Sequence, residues 1–297
     1  MIRIDKITRG RFGNKILQYN SLVQIANNLG VEPSCVEWDG HRFFKNLVGY
    51  KPNNKPIKKL NWNDVLNKTD DELIEITLAN CLNIDDPSYL LHNVFFKVTK
   101  TDPRDFLELK DEFKPKLPPN FLHIGIHIRG GDLKIPKHRH ELHPFSYYQR
   151  SINYILEKNN ISDVIFYICT DDKEYIVYSQ ILNYLMRLKV KYYIGKDTKI
   201  NRHLLHANIN YIKDFGILSE CDIIICSSST FVIAASIIGK MNKELIFYKY
   251  WFDRNNKHMP WGNISNEYPI EYWHSYDNFF IELGQNNNNY FNVIKFI

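Results

Sequence analysis

Three short stretches of the 297-residue chain hold the residue types that chemistry on an anionic ligand needs. The first contains His127, Arg129, Gly130, Gly131 and Asp132 in the run HIRGGD. A guanidinium pairs bidentately with a phosphate, and adjacent glycines let the backbone approach its oxygens. The same residues would equally make a tight turn braced by an Arg–Asp pair, and the run alone leaves both readings open. The second stretch is Ser227, Ser228, Ser229, Thr230 and Phe231, between an apolar strand-like run and a helix-like run. Hydroxyls and N–H groups at a helix start gather an anion, and the same serines are ordinary helix caps. The third is Gly10, Arg11, Phe12, Gly13 and Asn14, at the first strand–helix junction. A basic residue in a Gly-rich turn suits a phosphate or a sugar. Its spacing is not that of a dinucleotide fingerprint, and no acidic residue follows at the expected offset.

Metal chemistry is less well supported. His138, His140 and His143 have a ligand-like spacing. They lie in a Lys/Arg-rich stretch with one carboxylate, Glu141, which reads better as a solvated or acceptor-facing loop. Asp171 and Asp172, at the end of an apolar run, are the nearest approach to an acidic pair for Mg²⁺. No metal ion is expected. The five cysteines (Cys35, Cys81, Cys169, Cys221 and Cys226) form no CxxC pair and read as buried reduced thiols.

Positioning such residues takes a packed scaffold, and the composition allows one. An apolar share of 44% and an aromatic share of 14% exclude general disorder, and the length suits two α/β domains. Thirty-eight basic residues against 33 acidic leave a net +5, spread along the chain. A nucleic-acid binder would gather that charge into one stripe, so no nucleic-acid partner is expected. The charged residues Arg3, Asp5 and Lys6 stand where a signal peptide needs its apolar run. No stretch approaches the ~20 apolar residues that span a bilayer, the longest being Thr230 to Ile238. A cytoplasmic protein without a membrane anchor is the expectation.

The pattern predicts a strand at Ile2 to Ile7, then a helix from Phe12 to Leu29 closed by Gly30. A strand-like segment follows at Cys35 to Trp38. Residues 40–110 hold only short apolar pieces such as Asp71 to Leu82. Pro115, Pro118 and Pro119 mark a linker, so domains at residues 1–118 and 119–297 are expected. After the linker, Leu122, Ile124, Ile126 and Ile128 line one face of the clearest strand. Strands at Val164 to Cys169, Val190 to Ile194, Asp222 to Cys226 and Glu244 to Tyr248 then alternate with helices. The helices are at Tyr147 to Glu157, Tyr175 to Leu188, Lys213 to Glu220 and Thr230 to Ile238. Continuous apolar strands alternating with helices make a parallel sheet covered on both faces, with ligands at the strands' carboxyl ends. The tail carries a four-Asn tract, Asn286 to Asn289, read as an exposed loop, and an apolar end, Tyr290 to Ile297.

Taken in order, these motifs resemble the inverting α-1,2-fucosyltransferase family, glycosyltransferase family 11-like. Gly10 to Asn14 resembles its opening turn, and His127 to Asp132 its HxRRxD signature. Ser146 to Tyr154 resembles the helix that follows, and Phe166 to Asp172 the strand ending in Ser/Thr-Asp-Asp. Asp214 to Phe231 resembles the part ending in Ser-Ser/Thr-Phe, and Lys249 to Phe252 the late Trp-Phe segment. The resemblance covers most of residues 7–30 and 121–252. It implies an α/β GT-B fold of two facing Rossmann-like domains, an acceptor-side first domain and a donor-binding second one. It also implies GDP-fucose as donor, inversion at the anomeric carbon, no metal, and an oligosaccharide acceptor with a galactose-like hydroxyl.

Carried over, Arg129 would neutralise the β-phosphate of the departing GDP. Ser228, Ser229 and Thr230, beside Phe231, would bind the pyrophosphate, and Asp171 the nucleoside. Arg11, with Gly10, Gly13 and Asn14, would face the cleft from the first domain. Asp132 or His127 would serve as the general base. One position departs from the family pattern: Gly130 stands where it has a second Arg. That removes a positive charge, for which Arg9, Lys134 or Arg139 would compensate. It also keeps open a different donor sugar, or a catalytically weakened nucleotide- or glycan-binding protein.

Overall fold

A computed structural model describes residues 1–7, 11–61, 64–65, 67–84, 101–131, 142–195, 210–241, 243–248, 280–285 and 291–296. Two compact units emerge, the first running to Lys110 and the second starting at Asp111.

In the first unit, strand β1 (Ile2–Ile4) leads into helix α1 (Phe12–Asn28), and strand β2 (Pro33–Cys35) follows. Next come a one-turn helix α2 (Gly40–Phe43), strand β3 (Phe44–Lys45) and strand β4 (Ile57–Leu60). Helix α3 (Asp70–Ala79), strand β5 (Cys81–Ile84) and the short strand β6 (Glu108–Leu109) complete it. Four strands form a parallel sheet in the order β2-β1-β5-β4, and β3 pairs antiparallel with β6. The segment Asp71 to Leu82, unresolved by periodicity, is thus a helix and a strand. A capping box starts the helix: Glu72 N–H donates to Thr69 Oγ1 at 3.3 Å, and Thr69 N–H to Glu72 Oε2 at 2.8 Å. Phe12, Tyr19, Trp38, Phe43 and Phe44 pack as an aromatic core beside α1.

The second unit opens with strand β7 (Leu122–Ile128), helix α4 (Phe145–Lys158), strand β8 (Val164–Thr170), helix α5 (Ile176–Leu188) and strand β9 (Lys191–Ile194). It continues with helix α6 (Asn210–Glu220), strand β10 (Ile223–Cys226), helix α7 (Thr230–Ser236) and strand β11 (Glu244–Tyr248). Strands β12 (Phe280–Gln285) and β13 (Phe291–Phe296) close it. The sheet order is β12-β13-β11-β10-β7-β8-β9. Its five central and right-hand strands are parallel, as the continuous apolar runs require. The tail adds something the sequence pattern did not announce: β13 pairs antiparallel with β11, and β12 with β13.

On strand β7 Leu122, Ile124, Ile126 and Ile128 were expected to line one face, and the sheet to be covered on both faces. His123, Gly125 and His127 are buried as well as the isoleucines, because both faces of this central strand are covered. Gly125 is required by close packing: a Cβ there would lie 2.7 Å from Leu218 Cδ2 on α6 and 3.3 Å from Cys221 Sγ. Ile124, Ile126, Ile128, Phe166 and Ile168 form the centre of the core with Tyr147, Tyr148 and Ile152 of α4. Each such side chain contributes roughly 1.5–3 kcal/mol through burial. All five cysteines are buried free thiols.

Both parallel sheets reverse direction once. In the first, the chain passes from β1 to β2 on one side and returns to place β5 on the other. In the second it passes from β7 through β8 to β9, then crosses to place β10 on the opposite side of β7. At such switch points the connections leave a crevice at the strands' carboxyl ends, where ligands of open α/β sheets bind.

Candidate functional site

At the switch point of the second unit two of the three motifs come together. Strand β7 delivers His127 and Arg129, and strand β10 delivers Ser227, Ser228 and Ser229 directly opposite. Arg129 Nη1 donates to the Ser228 carbonyl at 2.9 Å, which ties the guanidinium to the segment entering α7. His127 Nδ1 and Ser227 Oγ are hydrogen-bonded at 2.6 Å, and His143 Nε2 and Ser228 Oγ at 2.8 Å. The His127 ring stacks on Phe231, with centroids 5.6 Å apart, and Phe231 meets Phe215 edge-on.

Strand β8 contributes the support beneath Arg129. Asp171 Oδ1 accepts from the N–H groups of Gly130 and Gly131, at 2.9 and 3.2 Å. Its carboxylate thus shapes the turn after β7. Thr170 Oγ1 fixes the next residue by accepting from Asp172 N–H at 3.0 Å, and Asp172 Oδ1 accepts from Glu174 N–H at 3.0 Å. Gly130 lies against this turn. A Cβ on it would meet Asp172 Oδ2 at 2.9 Å and the Cβ atoms of Asp172 and Tyr175 at 3.0 Å. A side chain at position 130 would therefore press on Asp172 and Tyr175, which would have to give way.

Three expectations change against this geometry. The serines are buried rather than presented to a ligand: Ser229 Oγ accepts from Phe231 N–H at 3.3 Å as the cap of α7, and Ser227 and Ser228 spend their hydroxyls on the histidines. The partly exposed Thr230 and half-buried Arg129 are the members a ligand reaches most readily. His143 is not in a solvated loop. It is 3% exposed, packed edge-on against Tyr147, because it sits just ahead of the apolar face of α4. His127 is 7% exposed and engaged by Ser227, which fits a positioning role and not a general base.

Burial also sets the protonation of both rings. It pulls the His127 pKa down to about 4, with Asp171 opposing and Arg129 reinforcing the shift. It pulls His143 down to about 3, reinforced by the neighbouring His127. Both are neutral imidazoles near pH 7, each with one donor and one acceptor nitrogen. Neutrality keeps the positive charge of the site on Arg129.

Helix α4 supplies a brace that sequence reasoning missed. Tyr147 OH lies between the carbonyls of Cys226 at 2.8 Å and Ile246 at 2.7 Å, its one proton shared between them, and so bridges the end of β10 and the middle of β11. Tyr148 OH donates to the His127 carbonyl at 3.3 Å, and Tyr175 OH to the His143 carbonyl at 3.0 Å. The available signal was the pair of adjacent tyrosines on the apolar face of an amphipathic helix, since a buried tyrosine hydroxyl needs a partner.

Of the remaining candidates, Arg11, Gly13 and Asn14 belong to the first unit. Arg11 is exposed at the N-cap position of α1, Gly13 is buried and Asn14 half-buried. Gly10, Arg9, Asp132, Lys134, His138, Arg139, His140 and Lys249 to Phe252 lie outside the described residues. Among the described residues no three His, Cys, Asp or Glu side chains come together to hold a metal ion, and no helix is long and apolar enough to cross a membrane.

No protein-family model and no curated protein matches the sequence. Among solved structures the chain is similar to a variant of Arabidopsis thaliana FUT1 in complex with GDP. The identity is 13%, over 85% of this chain and 70% of that one, with a TM-score of 0.54. It is also similar to fucosyltransferase NodZ from Bradyrhizobium, at 15% identity over 83% of this chain and 95% of that one, TM-score 0.47. The NodZ α-1,6-fucosyltransferase soaked with GDP-fucose gives 16% identity over 83% and 94%, TM-score 0.47. The likeness to FUT1 is one of fold: the chain has the α/β GT-B architecture with parallel sheets.

Proposed function

We propose that the protein is an inverting, metal-independent glycosyltransferase that moves fucose from GDP-fucose to a glycan hydroxyl, galactose-like and in α-1,2 linkage. The observation that carries this reading is Arg129, a guanidinium anchored to the Ser228 carbonyl at the switch point of a parallel sheet. A fixed cation at that place suits a diphosphate. The order of motifs resembling α-1,2-fucosyltransferases supports fucose as the sugar. FUT1, whose fold the chain shares, was solved with GDP, which supports the nucleotide.

In the reaction, the acceptor oxygen forms a bond to the anomeric carbon from the face opposite the nucleotide. The bond from that carbon to the β-phosphate oxygen breaks, and its electron pair leaves with GDP. The acceptor hydroxyl loses its proton to a base. Charge builds on the β-phosphate, and a preoriented guanidinium stabilises it without reorganising at the moment of transfer. Asp171 acts one step removed, holding the Gly130–Gly131 backbone that follows Arg129. Asp132 is the acid of the motif nearest that turn and is assigned here as the base.

The test is release of nucleoside diphosphate from a panel of GDP-, UDP- and dTDP-sugars, with EDTA present and with or without simple galactosides. Release from GDP-fucose alone, stimulated by a galactoside and abolished in Arg129→Ala, is expected. Turnover that vanishes with EDTA, or that prefers another sugar, contradicts the respective part of the proposal. A second reading is favoured by Gly130, which leaves one cation fewer at the phosphate: a protein that binds the nucleotide sugar without turning it over. Tight GDP binding with no release from any donor would select it.

A further inference from the structure

Lys243, just ahead of β11, is a charged side chain buried to 1% exposure, and nothing in the donor chemistry described so far uses it. Its Nζ donates to the carbonyls of Ala235 at 3.3 Å, Ser236 at 3.2 Å and Ile238, all at the carboxyl end of α7. An ammonium has three protons to give, and these three carbonyls accept them. Glu220, the last residue of α6, feels the same charge: burial raises its carboxyl pKa, and Lys243, Lys114 and Lys240 pull it back down.

A cation at the carboxyl end of a helix is a common cap. Capping alone does not explain this one. A buried charge gains little over a well-packed apolar side chain of the same length. Helix α7 also has its stop signal already, in Gly239 with a φ of 75°. That turn is pressed on the end of α6: a Cβ at Gly239 would run into the Ser219 carbonyl oxygen, which accepts from Lys240 N–H at 3.0 Å. What the ammonium adds is a fixed position for the far end of α7. The helix has two turns, about 10 Å, so holding one end holds the other. Its near end carries the site. There the Ser228 carbonyl accepts from Arg129 Nη1 at 2.9 Å, and the Phe231 ring stacks on His127.

We propose that Lys243 is a positioning residue for the diphosphate: by fixing the carboxyl end of α7 it keeps the Ser228 carbonyl where it orients Arg129. The inference rests on the proposed donor reading and adds to it a residue at the opposite end of α7.

The test is calorimetric binding of GDP and of guanosine, in EDTA, to the wild type, Lys243→Met, Arg129→Ala and the double variant. Methionine keeps the length of the side chain and removes its charge. The GDP Kd should rise roughly tenfold in Lys243→Met with guanosine binding unchanged, and should rise no further when Lys243→Met is added to Arg129→Ala. Unchanged guanosine affinity also shows that the variant has folded. A cap with only a structural role lowers Tm and leaves GDP affinity alone, or gives the same loss with and without Arg129; either result overturns the proposal. If Lys243→Met does not fold, hydrogen exchange in the wild type decides. GDP should then slow the amides of residues 233–238 together with those of 228–231, and slowing confined to 228–231 overturns the proposal. A wild type that binds no GDP removes the donor reading and this inference with it, whereas GDP binding indifferent to Lys243 removes this inference alone.

Discussion

His143 and Ser228 are both buried and hold one another in place beneath the end of β7. Ser228 carries two attachments at once, its hydroxyl to His143 Nε2 and its carbonyl to Arg129 Nη1. His143→Phe keeps the ring's packing against Tyr147 but leaves a buried hydroxyl unpaired, and should cost about 1–3 kcal/mol in urea denaturation. The same variant should raise KM for the donor more than it lowers kcat, because it loosens the anchor of Arg129. Loss of stability with KM unchanged would confine His143 to the core. The two histidines also set an acid limit. Their folded pKa values, about 4 and about 3, lie below the ordinary value, so the unfolded chain binds the extra protons. Stability is therefore full above roughly pH 6.5 and falls as pH drops towards 4, with roughly 1.4 kcal/mol per unit of separation. Thermal melts of the wild type and His143→Phe between pH 4 and 8 should show the variant's slope reduced; parallel curves would refute the assignment. Among single residues, the placing of Arg129 and the serines at the ends of neighbouring strands was legible from the pattern. The histidine–serine pairing was not, because a sequence shows that Ser227 and Ser228 sit beside a helix start and not which hydroxyl is already taken.

Among the elements, the turn joining β8 to α5 decides what the end of β7 can hold. Its residues Asp171 and Asp172 close around Gly130, one through backbone hydrogen bonds and the other by contact. Introducing an arginine there, Gly130→Arg, should therefore destabilise the protein by about 1–3 kcal/mol and fail to raise donor affinity. A stable, more active variant would show that the turn yields easily. Asp171→Asn keeps the shape but weakens the acceptor for two N–H groups, and should impair donor binding with little effect on Tm. The long elements of the second unit were readable within one to three residues because β8 and β10 are continuous apolar runs and α4 and α5 are amphipathic. In the first unit β1 was readable and β2 lay just ahead of the segment expected at Cys35 to Trp38, while β3 to β6 were not readable. Strand β4 reads Ile-Lys-Lys-Leu and is largely exposed, and β5 places Asn83 where an apolar residue marks a strand. Nor was the antiparallel pairing of the tail, since it depends on a partner strand more than forty residues earlier in the chain.

At the scale of the whole molecule, each unit is built on a parallel sheet with one reversal of strand order, and each reversal is occupied by a polar cluster. In the second unit the cluster is cationic through Arg129 and suits a diphosphate. In the first it is neutral through the Arg3–Asp5 pair. The central claim is that the β7–β10 switch point holds the diphosphate of the donor through Arg129. Calorimetric binding of GDP and of guanosine to the wild type and to Arg129→Ala, both in EDTA, tests it most directly. A lost charge-assisted pair is worth about 1.5–3 kcal/mol, so the GDP Kd should rise roughly 10- to 150-fold while guanosine binding stays unchanged. Equal GDP affinity in the two proteins would contradict the account and place the nucleotide elsewhere.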